Sequence, residues 1–395
     1  MNLSGNISKL YIFSALKMAL FPMAVITLFW KDHIGLSLTE ILLLQGLFSV
    51  ATLLLEYPSG YLSDRLGYRF TLNLATVLGI IGWCLYLPAD SFFDVFLAEI
   101  FLGASFAFIS GSDSALLYET LRTEGKEMHY TRYDGRMSGF GQAGEAAGAL
   151  FAGVLYTIWP LFPFVIQVGV WLAAYGLSRS LKEAPRDKQI QAKTHAAEAL
   201  ETLKISLVDN RTIRSAMLLT TVLGLASFYP VWLIQPFMQQ TGVPLHWFGP
   251  IWAAANMTVA VFAWTSERIH FTLGTRPAVC LWLLLVLAGY GGLGFFNASW
   301  AFAFYFLLTA TRGMQSPVMR HFLQTEAPSS RRASILSLKS LVFRLLFVLT
   351  GPLVGMLADS KGLSTTFLTV GSILVVVLLV LALSFFKNTV PADRT

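Results

Sequence analysis

Gly60-Tyr61-Leu62-Ser63-Asp64-Arg65-Leu66-Gly67-Tyr68-Arg69 lies between two long apolar stretches of the chain. Glycines at both ends of the run allow close backbone approach and positive φ. Asp64 and Arg65 put opposite charges side by side, where a helix end or a partner charge can meet each of them. With an apolar segment long enough to cross a bilayer on either side, this run is a tight charged turn joining two membrane helices.

The rest of the chain has the composition such a turn requires. Of its 395 residues, 55% are hydrophobic and only 13% charged, about half the charged share of a soluble domain. Mean hydropathy is +0.63. A span needs about 20 mostly apolar residues. On that basis spans 1 to 12 fall near 10–31, 38–62, 70–88, 93–118, 137–157, 160–180, 213–239, 246–266, 276–296, 299–322, 333–357 and 363–386. One hydrophilic interval, 181–212, divides the chain into an N-terminal bundle (1–180) and a C-terminal bundle (213–395). Within it, residues 196–208 have an amphipathic pattern that fits a helix on the membrane surface or a solvated linker helix.

The sequence pI is near 9.3, but the basic residues form no nucleic-acid patch. They fill alternate loops, while the opposite loops hold only Lys31 and Lys361. By the positive-inside rule, both termini, the Gly60–Arg69 turn and the linker face the cytoplasm. Charges inside the spans follow a second pattern. Spans 3, 6, 9 and 12 have none in their interiors, whereas Lys17, Glu56, Glu99, Asp113, Glu145, Arg312, Lys339 and Arg344 fall in spans 1, 2, 4, 5, 10 and 11. A charge at the bilayer centre costs at least ~2.5–3.5 kcal/mol on insertion scales. The charged spans therefore face a protein or aqueous interior, and every third helix faces lipid.

The turn reads G-x-L-x-D-R-x-G, and its position after the second of twelve spans resembles the signature loop of the major facilitator superfamily of secondary transporters. The resemblance extends over essentially the whole chain. It implies an all-α membrane protein with twelve transmembrane helices in two pseudo-symmetric six-helix bundles, with spans 1, 4, 7 and 10 lining a central cavity. The glycine-rich Gly139-Phe-Gly141-Gln142-Ala-Gly144-Glu145-Ala-Ala-Gly148 of span 5 is similar to the span 5 motif of bacterial drug/proton antiporters, with Gly144-Glu145 where that motif carries Gly-Pro. Arg332-Ala-Ser-Ile-Leu-Ser-Leu, opening span 11, resembles a segment of the same group.

Candidate site residues follow from these readings. In the turn, Gly60, Asp64, Arg65, Gly67 and Arg69 form a gating loop, and the resemblance implies that Glu119, ending span 4, pairs with Arg65 or Arg69. Lys17, Glu56, Asp113, Gln142 and Glu145 are expected on the substrate or proton pathway of the first bundle, with Glu145 the leading proton site and Lys17 or Arg344 its alternative static partner. Trp232, Gln235, Arg312 and Arg344 are expected on that pathway in the second bundle. Pro230 and Pro236 are expected to interrupt span 7, as in a bending cavity helix.

Enzyme chemistry finds no support. The six histidines are scattered, no H-E-x-x-H, G-x-S-x-G or phosphate-cradling glycine loop occurs, and Cys84 and Cys280 sit apart in apolar spans. No cofactor or metal site is expected. The expected function is transport of a small organic molecule by alternating access, with protons as coupling partner, in the inner membrane and by a monomer. Its preferred form is efflux of an amphipathic or cationic compound. Two alternatives stand beside it. One is movement of an anionic or siderophore-like compound cradled by Lys17, Arg312 and Arg344; the other is a receptor or assembly partner built on the same scaffold.

Overall fold

The computed structural model describes residues 3–183, 205–328 and 331–389. Within them, the side chains of Ser4, Tyr57, Asp64, Ile205, Leu207 and Ala333 lie outside the described set. So does nearly all of the expected surface helix at 196–208; Ile205–Asp209 forms a π-helical turn.

Twelve helical rods run along the described residues. Span 1 is Ser4–Met18 followed by the short Ile26–Leu28 and a π-helical turn, Phe29–His33. Spans 2 and 3 are Leu38–Leu66 and Tyr68–Leu85. Span 4 comprises Phe92–Ile109 and Ser112–Thr123, and span 5 comprises Tyr130–Leu150 and Ala152–Ile158. Span 6 is Phe162–Ser180, span 7 Arg211–Gln240, span 8 Phe248–Leu273 and span 9 Thr275–Phe295. Spans 10, 11 and 12 are Tyr305–Glu326, Arg332–Lys361 and Leu363–Asn388. Seven stretches among the described residues are long and apolar enough to cross a membrane by themselves, in spans 2, 3, 4, 7, 9, 11 and 12.

Local chemistry sets the ends. Span 2 opens on a capping box, in which Ser37 Oγ accepts from the Glu40 amide and the Glu40 carboxylate accepts from the Ser37 amide at 2.8 Å. Span 2 stops at Gly67, whose φ of 113° only glycine adopts freely, and span 3 begins at the next residue. Span 7 corrects an expectation. It is one unbroken helix through Pro230 and Pro236. Each proline removes a single backbone hydrogen bond, and the neighbouring spans enclose this helix so fully that the loss does not break it.

By its contacts the chain divides into two compact units, Met1–Gln189 with Pro244–Ala253, and Ile190–Val243 with Ala254–Thr395. In the first, span 1 packs on spans 5 and 6, span 3 on spans 4 and 6, and span 4 on span 2. In the second, span 7 packs on spans 11 and 12, and span 9 on spans 10 and 12. The pairings of spans 1 and 3 are thus repeated by spans 7 and 9. A short sequence repeat accompanies them. Leu66-Gly67-Tyr68-Arg69 opens span 3 and Leu273-Gly274-Thr275-Arg276 opens span 9, both with a positive-φ glycine. The four charge-free spans each expose an apolar stripe, for example Phe70, Val77 and Ile81 in span 3 and Ile373, Val376, Val380 and Leu383 in span 12.

Candidate functional site

Span 1 and span 4 are both broken within their length, and the breaks carry opposite charges. The first helix of span 1 ends at Met18, just before Phe21-Pro22, and Lys17 lies in its last turn. A helix C-terminus carries partial negative charge and favours a cation there. Span 4 breaks at Ser110-Gly111, where Gly111 has φ 82°, and its second helix starts at Ser112. Asp113 sits in the first turn of that helix, where the positive end favours an anion, and its Oδ1 accepts from the Ser114 amide at 2.7 Å. Lys17 Nζ donates to Asp113 Oδ2. The lysine side chain is 16% exposed and the aspartate 8%. Each charge is thus held by its own helix end and by the other. The break in span 1 is closed from span 6, where the fully buried Gln167 accepts from the Phe21 amide at 2.9 Å.

Span 5 holds span 1 in place through its glycines. A Cβ on Gly144 would fall 2.1 Å from the Ala15 carbonyl oxygen, and one on Gly148 2.9 Å from the Ala19 carbonyl carbon. The helices therefore meet backbone to backbone over the last turn of the first helix, the turn that carries Lys17. Gly153 and Gly249 make a similar junction, a Cβ on Gly153 falling 1.9 Å from the Leu245 carbonyl oxygen. Glu145 is half-buried and Gln142 exposed. The carboxylate bound to Lys17 is that of Asp113, which removes Lys17 as the alternative static partner of Glu145. The reason is geometric, since span 5 turns its glycines, not Glu145, to span 1. Glu56 is exposed on span 2, and its backbone carbonyl accepts from Ser59 Oγ at 2.8 Å.

The expected turn over Gly60–Arg69 is corrected: Gly60–Leu66 continues the helix of span 2, and only Gly67 separates it from span 3. The Asp64 side chain is outside the described residues, and Gly60 is exposed. Arg65 donates to the Tyr61 hydroxyl at 2.7 Å, and Arg69 to the Arg179 carbonyl at 2.7 Å. Glu119 pairs with Arg122, one helical turn along its own helix, at 3.6 Å, rather than with Arg65 or Arg69. The carboxylate that meets the turn is Glu183, just beyond span 6. Its two oxygens accept from the Tyr68 and Arg69 amides at 2.9 and 2.8 Å, capping the start of span 3. Asn6 holds the same segment, accepting from the Lys182 amide at 3.0 Å and donating to its carbonyl at 2.8 Å.

In the second unit, Trp232 and Gln235 are buried, Gln235 completely. In the same bundle the Tyr229 hydroxyl shares a 2.6 Å hydrogen bond with Thr350, and Thr220 donates to Gln315 at 2.8 Å. Arg312 and Arg344 are half-buried.

Sequence reasoning noted Glu99 but gave it no role in a site. Glu99 is buried in span 4 and accepts from the Tyr86 hydroxyl and from Gln45 Nε2, the latter at 3.3 Å. Trp30 donates to the Tyr86 oxygen at 3.2 Å. The chain Trp30–Tyr86–Glu99–Gln45 ties spans 1 to 4 together. Its sequence signal was the carboxylate itself, although nothing in the sequence pointed to the tyrosine that meets it. No cluster of three or more metal-ligating side chains occurs among the described residues.

Comparison with known proteins reaches the same architecture. A family model described as Major Facilitator Superfamily matches residues 8–343. An uncharacterised MFS-type transporter, YxaM of Bacillus subtilis (strain 168), is 26% identical over 394 residues, covering 93% of each chain. Among solved structures, the nucleoside transporter NupG has a TM-score of 0.80 at 14% identity, covering 98% of this chain and 99% of its own. A bacterial homologue of the human lysosomal transporter Spinster, inward-facing and unoccupied, has a TM-score of 0.76 at 15% identity, covering 98% of each chain.

Proposed function

The chain belongs to the major facilitator superfamily, a family of membrane transport proteins, and from that premise we propose that it is a secondary transporter that expels a small amphipathic or cationic organic compound in exchange for protons. It works by alternating access from the inner membrane, with both termini in the cytoplasm. The buried Asp113, paired with the half-buried Lys17 at the broken ends of spans 1 and 4, carries this reading. Discontinuous helices whose ends meet ions and charged substrate groups form the binding sites of many secondary transporters.

The pair acts as an exchange point. Lys17 occupies Asp113 while no other cation is present. Taking one partner away leaves an uncompensated buried charge, at a cost of about 3–5 kcal/mol. Separation of spans 1 and 4 during the cycle therefore requires a replacement on Asp113, either a proton or the cationic group of a substrate. Because both compete for one carboxylate, loading one expels the other, which is the condition for antiport. Glu145 and Arg312 are proposed as further contacts for the substrate or proton. The gating loop at Asp64 to Arg69 holds the cytoplasmic side, with Glu183 keeping the start of span 3 in position.

The alternative of an anion cradle at Lys17, Arg312 and Arg344 is weaker, because Asp113 already neutralises Lys17. A receptor or assembly role has no observation in its favour. Purified protein in liposomes, given an imposed pH gradient and a panel of organic cations and anions, separates the three readings. Cation movement coupled to proton movement supports the proposal. Anion movement supports the cradle, and absence of any flux supports a non-transporting role.

A further inference from the structure

The C-terminal unit contains a cavity that the proposed exchange point does not use. It has a volume of about 620 Å³ and lies among spans 8, 9, 10 and 12. That size is within the range of small-molecule sites, ~300–1,000 Å³. Trp264, Trp282, Phe322 and Phe385 supply aromatic wall, and the formal charges in its lining are the carboxylates of Glu267 and Glu326, with no lysine or arginine. The absence of a cation in the lining is notable because Arg268, Arg276 and Arg320 are neighbours in sequence. Arg276 instead lies over the Phe386 ring, 5.8 Å from its centroid.

Two polar atoms in this lining are unsatisfied. Trp282 is 2% exposed and its indole Nε1–H has no hydrogen-bond partner. The His270 Nδ1 atom is buried and also lacks one. A buried polar group without a partner costs ~1–3 kcal/mol, so both call for a ligand bearing complementary atoms. An indole N–H can only donate, which requires an acceptor on the ligand. Glu267 and Glu326 are exposed at the ends of spans 8 and 10, and with His270 and His321 as the other titratable groups of the lining they make it favourable to a cation, to which aromatic faces add attraction.

We propose that this cavity binds an aromatic organic amine that also carries a hydrogen-bond acceptor, such as an ether or hydroxyl oxygen. The ammonium lies between Glu267 and Glu326, the ring stacks in the aromatic wall, and the acceptor takes the Trp282 N–H. The site names a substrate class compatible with the proposed efflux, but its occupancy does not depend on transport.

Binding is therefore measured without flux. The full-length protein in lipid nanodiscs is titrated with propranolol, a protonated amine with an aryl ether and a hydroxyl, and empty nanodiscs are subtracted. Naphthyloxyacetate, of similar ring and opposite charge, is the matched probe. Saturable binding of propranolol alone is expected, falling about tenfold or more in Glu267→Gln/Glu326→Gln and by a smaller factor in Trp282→Phe. Melting curves verify that the variants are folded. Equal binding of the two probes overturns the proposal, as does full propranolol affinity in the double carboxylate variant. Binding retained in that variant but lost in Asp113→Asn places the amine at the Lys17–Asp113 pair and overturns it too.

Discussion

Gly144→Ala adds one methyl group at the junction that positions Lys17. The new carbon would lie 2.1 Å from the Ala15 carbonyl oxygen and 2.9 Å from its Cα. Non-bonded heavy atoms prefer about 3.5–4.0 Å, so span 5 must retreat from span 1 by roughly 1 Å or more. Both contacts are backbone and no side chain can rotate away. Overpacking of this kind costs about 1–3 kcal/mol, while alanine in place of glycine within a helix returns about 1 kcal/mol. Gly139→Ala is the matched control, because nothing lies within 4 Å of a Cβ there and it takes the propensity gain alone. Gly144→Ala should therefore be less stable than Gly139→Ala by about 1–3 kcal/mol and should impair transport at equal protein level. Thermal unfolding of the two variants in one detergent measures the difference. Equal melting temperatures would refute the argument that backbone contact across spans 1 and 5 sets the position of Lys17.

Glu183→Ala removes the acceptor shared by the Tyr68 and Arg69 amides; a loss of about 0.5–2 kcal/mol is expected, read as lower melting temperature, whereas Glu119→Ala should leave the start of span 3 unaffected by hydrogen exchange. Tyr86→Phe deprives the buried Glu99 of one of its two donors and should cost about 1–3 kcal/mol, measured by the same melting assay. Reporter fusions at residues 190 and 395 should both report cytoplasm, as the loop distribution of Lys and Arg requires, and a periplasmic signal from either would reverse the proposed orientation.

The architecture was legible because the bilayer imposes its terms on sequence directly. Span length, the charge-free spans 3, 6, 9 and 12, and the break at Gly67 report local requirements directly, whereas the expected turn over Gly60–Arg69 narrowed to that one glycine because Gly60–Leu66 continues the helix of span 2. The site was legible only in part. Lys17 and Asp113 stood out as charges in apolar surroundings, but their pairing depends on where two helices break. The span 4 break rests on one glycine in a run of small residues, and prolines misled in the other direction, since span 7 tolerates two without interruption. Lys17 was offered as a partner of Glu145 because sequence gives the glycine ladder of span 5 but not the face it turns to span 1. Glu183 was missed because it lies in the hydrophilic linker, where a carboxylate has no apolar background to mark it. The cavity of the second unit was missed for a related reason. Glu267 and Glu326 sit at helix ends among basic residues, and only the fold separates them from those neighbours.

The exchange point is tested most directly by Asp113→Asn in proteoliposomes. Asparagine preserves shape while removing the charge that holds Lys17. The account predicts that the variant still exchanges a transported organic cation between equal internal and external pools, yet no longer accumulates it when a pH gradient is imposed. Accumulation equal to that of the unaltered protein, at the same protein density, would contradict the assignment of coupling to this pair.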